Sequence, residues 1–176
     1  PLKETSTAYG QAKRVAEHLC ALYREAHGLE TVIARCFAFA GPDLPLNVHF
    51  AVGNFIRDAL FSAEINVKGD GTPLRSYLDQ RDLAVWLWYL LFNGTDGEAF
   101  NVGSDFVVSI KDLANTVKFL LAPHKAVIIA NPLDSNERTP RSRYIPDITK
   151  IASIHGLTPT FSLEDSIRFM AQSHVV

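Results

Sequence analysis

The hydrophobic positions of the chain follow two patterns in turn, one with the spacing of a helix and one made of short apolar runs. Between Tyr9 and Ala26 apolar residues recur every three or four positions, which predicts a helix with one apolar face. Residues Thr31 to Phe37 form a β-branched, apolar run that is typical of a strand buried on both faces. The same patterns predict later helices at 50–61, 82–92, 110–121, 148–155 and 162–172, and later strands at 65–67, 75–78, 99–102 and 126–130. Because strands alternate with helices, the fold class is predicted to be α/β.

Polar residues near the ends of these segments support the predicted boundaries. Gly28 is a stop signal for the first helix. Asp82 lies near the start of an apolar helix, where a carboxylate suits the free amides, so we predict a capping role for it and not a catalytic one. Ser109 is predicted to cap the next helix together with Asp112, which reaches back to it. Residues 131–147 read as a polar loop.

Composition and charge narrow the class of protein. The chain has 176 residues, of which 47% are hydrophobic and 20% are charged, and its net charge is −2. These values are ordinary for a soluble globular protein and give no sign of a nucleic-acid surface or a polybasic membrane patch. The longest apolar run, Leu83 to Phe92, is shorter than the ~18 residues needed to span a bilayer. Cys20 and Cys36 are expected to be buried free thiols, which together with the lack of a signal peptide favours a cytoplasmic location.

The most reactive pair of side chains lies at the start of the chain. Tyr9 and Lys13 are four positions apart on a predicted helix, so both side chains leave the same face. A free tyrosine has a pKa near ~10, and a neighbouring ammonium favours the phenolate. The pair could therefore move a proton to or from a sugar hydroxyl. The alternative is a surface tyrosine beside a solvated lysine.

Several short motifs follow this pair in a fixed order. They are Tyr9-Gly10-Gln11-Ala12-Lys13, Ala34-Arg35, Gly41-Pro42, the run from Gly69 to Tyr77, Asp82-Leu83-Ala84, Asn101-Val102-Gly103-Ser104 and Pro146-Asp147. Over nearly the whole chain they resemble the extended short-chain dehydrogenase/reductase family of nucleotide-sugar epimerases and dehydratases. The resemblance implies that residues 1–45 are the last helix and strand region of a Rossmann-like domain. It implies that residues 46–176 are a mixed α/β substrate-binding subdomain, with some segments returning to the Rossmann-like domain.

The resemblance implies that the cofactor is tightly held NAD. In that family the tyrosine is the catalytic base, and the lysine holds the nicotinamide ribose and eases ionisation of the tyrosine. These catalytic and cofactor-binding roles fall on Tyr9 and Lys13, and a further cofactor-binding role falls on Arg35. Most of the NAD site of the family, and its catalytic serine or threonine, lie upstream of the tyrosine. Since the chain opens on Pro1, we expect it to begin inside a longer protein, and to be inactive and bind NAD weakly on its own.

The resemblance also implies which arginines bind the nucleotide-diphosphate sugar. Arg75 matches the family arginine that contacts the substrate diphosphate, and guanidinium groups suit phosphate oxygens because they form paired hydrogen bonds and stay charged. The alternative is a surface arginine paired with Asp70 or Asp82. A second family arginine is assigned to Arg138. Its rivals in the same polar loop are Arg141 and Arg143.

Other substrate contacts are expected on a helix and a strand. Asn54 and Phe55 open a helix that often packs around the nucleotide in relatives, and Val67 and Lys68 lie where relatives place backbone and side-chain contacts to the base. At two positions the chain departs from the family, with Ala38 in place of an asparagine and Ala40 in place of a tyrosine. The sugar specificity is therefore left open.

The resemblance implies transient oxidation of the sugar followed by 4,6-dehydration, for bacterial-type surface polysaccharide or deoxysugar synthesis. The run from Gly69 to Tyr77 and the aromatic helix with Trp86 and Trp88 favour a member like dTDP-glucose 4,6-dehydratase. The alternatives are a UDP-sugar 4-epimerase or decarboxylase, and a non-catalytic nucleotide-sugar-binding module. A homodimer is expected for the full-length protein, and neither a nucleic-acid nor a membrane partner is expected.

Overall fold

The computed structural model describes residues 7–48, 50–131 and 142–174, in which helices alternate with short strands. The helices are α1 (Ala8–His27), α2 (Ala51–Phe61), α3 (Gln80–Asn93), α4 (Ile110–Leu121), α5 (Thr149–His155) and α6 (Leu163–Gln172). The strands are β1 (Ile33–Cys36), β2 (Phe39–Ala40), β3 (Ile65–Val67), β4 (Leu74–Arg75), β5 (Leu78–Asp79), β6 (Ala99–Val102), β7 (Val108–Ser109), β8 (Val127–Ile129) and β9 (Arg143–Tyr144). This order confirms the predicted α/β class.

The strands pair in small sheets, most of them parallel. β1 runs parallel to β6, with Ile33 opposite Ala99 and Cys36 opposite Val102. β2 is parallel to β5, and β3 is parallel to β8. β4 lies between β7, to which it is antiparallel, and β9, to which it is parallel. The predicted strand at 75–78 is therefore two strands, because β4 and β5 pair in different sheets.

Two clusters of buried side chains fill the interior. The first packs α2, α4 and α6 together over β3. Its fully buried members include Ile56, Ile65, Leu113, Ile167 and Met170. The second joins α3, α5 and β6, and its fully buried members include Trp86, Phe100 and Ile151. Because the second cluster also contacts half-buried side chains of the β1 region, later segments return to the first strand. The division of the chain at residue 45 stays a prediction.

Helix α3 begins earlier than its sequence suggests, and a different aspartate caps it. The carboxylate of Asp79 accepts a hydrogen bond from the N–H of Arg81 at 2.8 Å, so Asp79 is the N-cap. Asp82 accepts instead from the N–H groups of Thr160 at 3.0 Å and Phe161 at 3.2 Å, and from the Thr160 hydroxyl. The capping role predicted for Asp82 is therefore wrong, because its carboxylate holds the segment that precedes α6. The cap predicted for α4 is confirmed, since Ser109 Oγ accepts from the N–H of Asp112 at 3.0 Å.

Helix α1 lies at the surface, with no buried side chain among those described. Its large apolar residues remain exposed, namely Tyr9, Val15, Leu19, Leu22 and Tyr23. Strand β1 is likewise half-buried to exposed, so the prediction that it is buried on both faces is wrong. Both cysteines are free, but Cys36 is exposed, so the prediction that both are buried is wrong. Within the described residues, no helix is both long and apolar enough to cross a membrane.

Candidate functional site

Tyr9 and Lys13 lie on one face of the first turns of α1. The Nζ of Lys13 is 5.4 Å from the centroid of the Tyr9 ring, as the four-residue spacing predicts. The Tyr9 residue is 75% exposed. Among the described residues, the Lys13 ammonium has no hydrogen-bonding partner and no carboxylate beside it. The pair therefore presents a phenol and three unused N–H donors to any ligand that reaches this face.

The pair lies beside the carboxyl end of β1. Partial burial of the Cys36 sulfur raises the pKa of its thiol, although the residue as a whole is exposed, and the positive charge of Lys13 acts in the opposite direction. Cys36 is the last residue of β1, and the parallel strand β6 ends opposite it at Val102. Open α/β sheets bind ligands at the carboxyl ends of their strands. The location of Tyr9 and Lys13 is thus suited to a binding site.

Arg35 connects β1 to α1 through an ion pair. Its Nε and Nη2 atoms donate to the two carboxylate oxygens of Glu17, each at 2.7 Å. These hydrogen bonds and the charge of Arg35 lower the pKa of Glu17 below its usual value, although burial acts in the opposite direction. The contact holds α1 against β1 at Glu17, which lies one helical turn after Lys13. The cofactor-binding role of Arg35 stays a prediction, since the guanidinium contacts Glu17 in this structure.

A second site is a cavity of about 350 Å³ between α2, β3 and β4. Three cationic side chains line it, Arg57, Lys68 and Arg75, together with one carboxylate, that of Asp58. The amide side chains of Asn54 and Asn66 are also in its wall. Because positive charges outnumber negative ones, the cavity favours an anionic ligand rich in hydrogen-bond acceptors.

Arg75 is one of two half-buried cations of this cavity, with Arg57, and its geometry leaves it available for an anion. Its Nη1 donates to the carbonyl oxygens of Leu74 at 2.8 Å and Ser142 at 3.1 Å, which hold the guanidinium in place. No carboxylate pairs with it in the described part of the chain. The alternative pairing with Asp70 or Asp82 is not observed, since Asp70 accepts from the N–H and hydroxyl of Thr72 at 2.8 and 2.9 Å.

The other predicted substrate residues differ in how they meet the cavity. Asn54 is half-buried in the wall, and Phe55 lines it with a side chain that is largely part of the core. The Val67 side chain is buried, and its carbonyl oxygen accepts from the N–H of Ala130 at 2.9 Å. A strand alternates its faces, so the neighbours Asn66 and Lys68 reach the cavity instead. The substrate roles of Asn54, Phe55 and Val67 stay predictions, and Arg138 lies outside the described residues.

Sequence reasoning missed Arg57 and Asn66 as parts of the cavity. Asn66 had a signal, because a polar residue between the apolar Ile65 and Val67 must point away from the core. Arg57 had none, since an arginine on a helix is usually solvated and its approach to the cavity depends on its rotamer.

A series of contacts connects the two sites. Phe37 follows β1 directly, and its ring centroid is 5.0 Å from that of Tyr144. Tyr144 lies in β9, directly opposite Arg75 of β4. At the end of β6, a Cβ on Gly103 would come within 2.7 Å of Pro146, so a glycine there allows the segment after β9 to approach closely. A chain of contacts therefore links the carboxyl end of β1 to the strand that carries Arg75.

Comparisons with known proteins are consistent with this geometry. The model of the NAD dependent epimerase/dehydratase family matches residues 1–103. UDP-glucuronic acid decarboxylase 5 of Arabidopsis thaliana is 33% identical over 166 residues, which cover 94% of this chain and 47% of that protein. UDP-glucuronic acid decarboxylase 1 of Xenopus tropicalis is 31% identical over 159 residues, covering 90% of this chain and 37% of that protein. The chain thus spans half or less of the length of these curated relatives.

Solved structures match the fold. UDP-glucose 4-epimerase of Thermotoga maritima, solved with UDP-glucose, aligns with a TM-score of 0.80 and 24% identity over 94% of this chain and 52% of that one. dTDP-glucose 4,6-dehydratase of Bacillus anthracis, solved with NAD, aligns with a TM-score of 0.78 and 20% identity over 94% of this chain and 51% of that one. These matches confirm the Rossmann-like α/β fold predicted from the sequence.

Proposed function

Because this chain belongs to the NAD dependent epimerase/dehydratase family, as its motifs predict, we propose that the full-length protein uses NAD to modify the sugar of a nucleoside-diphosphate sugar. The observation that carries the proposal is that a chain of contacts links the end of β1, near Tyr9 and Lys13, to the cationic cavity at Arg75. The Tyr9 and Lys13 pair suits proton transfer, and the cavity suits a diphosphate. A sugar nucleotide has both groups a short distance apart.

The residues at the Tyr9 end suit NAD. NAD, when bound, would supply reversible hydride transfer at a sugar carbon. Lys13 would donate its N–H groups to ribose hydroxyls, and Tyr9, as a phenolate, would take the proton of a sugar hydroxyl as the carbon is oxidised. With the hydride leaving the carbon and the proton leaving the oxygen for the Tyr9 phenolate, the alcohol would become a ketone. Tyr77, near Arg75, is not suited to this role because burial raises its pKa to about 12.

For the finer reaction we favour decarboxylation of a UDP-uronic acid. The curated relatives named above are UDP-glucuronic acid decarboxylases with identities above 30%, whereas the dehydratase is a more distant structural match. A ketone at the sugar C4 is β to the C6 carboxylate, so the bond between C5 and C6 can break with release of CO₂. The 4,6-dehydration expected from the sequence stays the second candidate, because the run from Gly69 to Tyr77 favours it.

A substrate panel separates these reactions. The full-length protein would be incubated with UDP-glucuronic acid, UDP-glucose and dTDP-glucose, and the products identified by NMR. We expect a UDP-pentose from UDP-glucuronic acid. A 4-keto-6-deoxy sugar would indicate dehydration, and an inverted C4 would indicate epimerisation. Binding without any product would contradict the enzymatic proposal and support a non-catalytic module.

Replacing Arg75 with alanine is expected to weaken the binding of UDP by about 10- to 100-fold, since a hydrogen bond to a charged group contributes roughly 1.5–3 kcal/mol. Isothermal titration calorimetry of the full-length protein measures this change. Arg168→Ala is the matched control, because it removes an exposed arginine on α6 that does not line the cavity. Equal affinity in the Arg75 variant and the wild type would remove Arg75 from the diphosphate site.

The homodimer and the cytoplasmic location stay proposals. Exposed apolar side chains along α1 support a second copy as the partner, since they form a continuous helical face. Analytical ultracentrifugation of the full-length protein tests this, and a monomer at micromolar concentration would contradict it.

A further inference from the structure

Asp58 is a buried carboxylate in the wall of the cationic cavity. The residue is 5% exposed, and its Oδ2 accepts from the N–H of Asn66 at 3.2 Å. Its Oδ1 accepts from the Nε and Nη2 of Arg57, at 3.1 and 2.7 Å. A buried carboxylate without a cation costs several kcal/mol, so this pair holds Arg57 in one conformation. Asp58 thereby fixes Arg57 on α2 and the start of β3 relative to each other.

Arg57 in turn contacts the amide of Asn54, one helical turn earlier on α2. Its Nη1 donates to the Oδ1 of Asn54 at 3.4 Å. An asparagine side chain has an acceptor side and a donor side, and a guanidinium can only donate. Arg57 therefore selects the orientation in which the Asn54 side-chain oxygen faces the Arg57 guanidinium. The two N–H donors of the amide are then left for the cavity that Asn54 lines.

We propose that Asp58 and Arg57 are positioning residues, which turn the Asn54 amide so that its N–H donors face the phosphate oxygens of a nucleoside diphosphate in this cavity. The inference rests on the proposed function, which supplies the diphosphate. Phosphate oxygens accept hydrogen bonds and do not donate them, so an amide that presented its oxygen would repel the ligand. Arg75 and Lys68, in the same wall, supply the opposing charge.

A double-mutant cycle in the full-length protein tests whether Arg57 acts through Asn54. UDP binding is measured by calorimetry for the wild type, Asn54→Ala, Arg57→Met and the double variant. Methionine keeps the aliphatic stem of arginine and removes all its donors. We expect each single variant to weaken UDP binding about tenfold, since each removes one hydrogen bond to a charged ligand or its orientation. The double variant is expected to weaken it no further, because Arg57 acts through Asn54.

Arg57→Lys separates orientation from simple charge attraction. Lysine keeps the positive charge but cannot contact Asp58 and Asn54 together as the arginine fork does, so we expect its affinity for UDP to fall as in Arg57→Met. The thermal unfolding midpoint of every variant is measured alongside, and this lysine variant serves where Arg57→Met does not fold.

The outcomes distinguish the positioning role from the function on which it rests. Independent losses that multiply to about 100-fold in the double variant would overturn it, as would full affinity in Arg57→Lys. Either result, with wild-type binding intact, leaves the proposed function standing. If the wild type binds neither UDP nor dTDP, the proposed function fails and the positioning role fails with it.

Discussion

Replacing Tyr9 with phenylalanine in the full-length protein is expected to lower turnover by about 10²- to 10⁴-fold, the usual contribution of a general acid–base group. The change removes the phenolic oxygen that would accept the proton of the sugar hydroxyl. UDP affinity is expected to stay within about twofold, because charge-assisted contacts at Arg75 supply the binding energy. The change removes a single oxygen atom and keeps the ring, so little packing is lost. Steady-state kinetics and UDP calorimetry measure both quantities.

Tyr23→Phe is the matched control for this prediction. Tyr23 lies on the same helix, is 54% exposed and contacts the ring of His27 at 5.3 Å between centroids. Because Tyr23 lies far along α1 from Lys13, the turnover of the Tyr23→Phe variant is expected to equal that of the wild type. Unchanged turnover in the Tyr9 variant would remove Tyr9 from the mechanism. A similar loss in both variants would assign the effect to the stability of α1.

Periodicity predicted the longer elements well, since each has enough residues to show its pattern. The bounds of β3 and β6 match the prediction, and α1 differs by one residue at each end. The two-residue strands β7 and β9 were missed because two residues show no alternation. Their existence depends on β4, which pairs with both of them from a distant part of the chain.

The candidate site was predicted where chemistry depends on local spacing and missed where it depends on tertiary contacts. The shared face of Tyr9 and Lys13 follows from four-residue spacing on a helix. The positioning of Asn54 by Arg57 cannot be predicted in this way. It depends on the buried carboxylate of Asp58, which also contacts Asn66 eight positions later. Asp79 and Asp82 illustrate the same limit, since their partners Ser166 and Thr160 are 87 and 78 positions away.

Replacing Asp79 with alanine is expected to lower the free energy of unfolding by about 2–3 kcal/mol, since it removes the cap of α3 and the hydrogen bonds that Arg81 and Ser166 donate to a buried carboxylate. Asp79 is 1% exposed and caps α3. It accepts from the Nε and Nη2 of Arg81 at 2.8 and 2.9 Å, and from the hydroxyl of Ser166 at 2.6 Å. The variant would detach α6 from the start of α3. Denaturant unfolding of the full-length protein measures the change.

The effect of Asp79 should also depend on pH in a defined direction. Burial raises the pKa of its carboxyl, but hydrogen bonds from Arg81 and Ser166 and the charge of Arg81 outweigh it and leave the pKa below its usual value. A carboxyl with a lowered pKa in the folded state stabilises fully above its unfolded value of ~3.9 and loses this contribution as the pH falls through the folded pKa. The difference between wild type and variant is therefore expected to be constant near neutral pH and to shrink in acid below about pH 4.

The variant Asp112→Ala tests whether burial of the carboxylate causes the loss of stability expected for Asp79→Ala. Asp112 also lies at a helix N-terminus and contacts the capping Ser109 at 2.6 Å, but it is exposed. Its loss is expected to cost about 1 kcal/mol or less, since exposed capping contacts contribute little more than this. Equal losses in the two variants would mean that Asp79 acts as an ordinary cap. A larger loss in the Asp79 variant, shrinking in acid, would show that the buried carboxylate, through Arg81 and Ser166, holds α3 and α6 together.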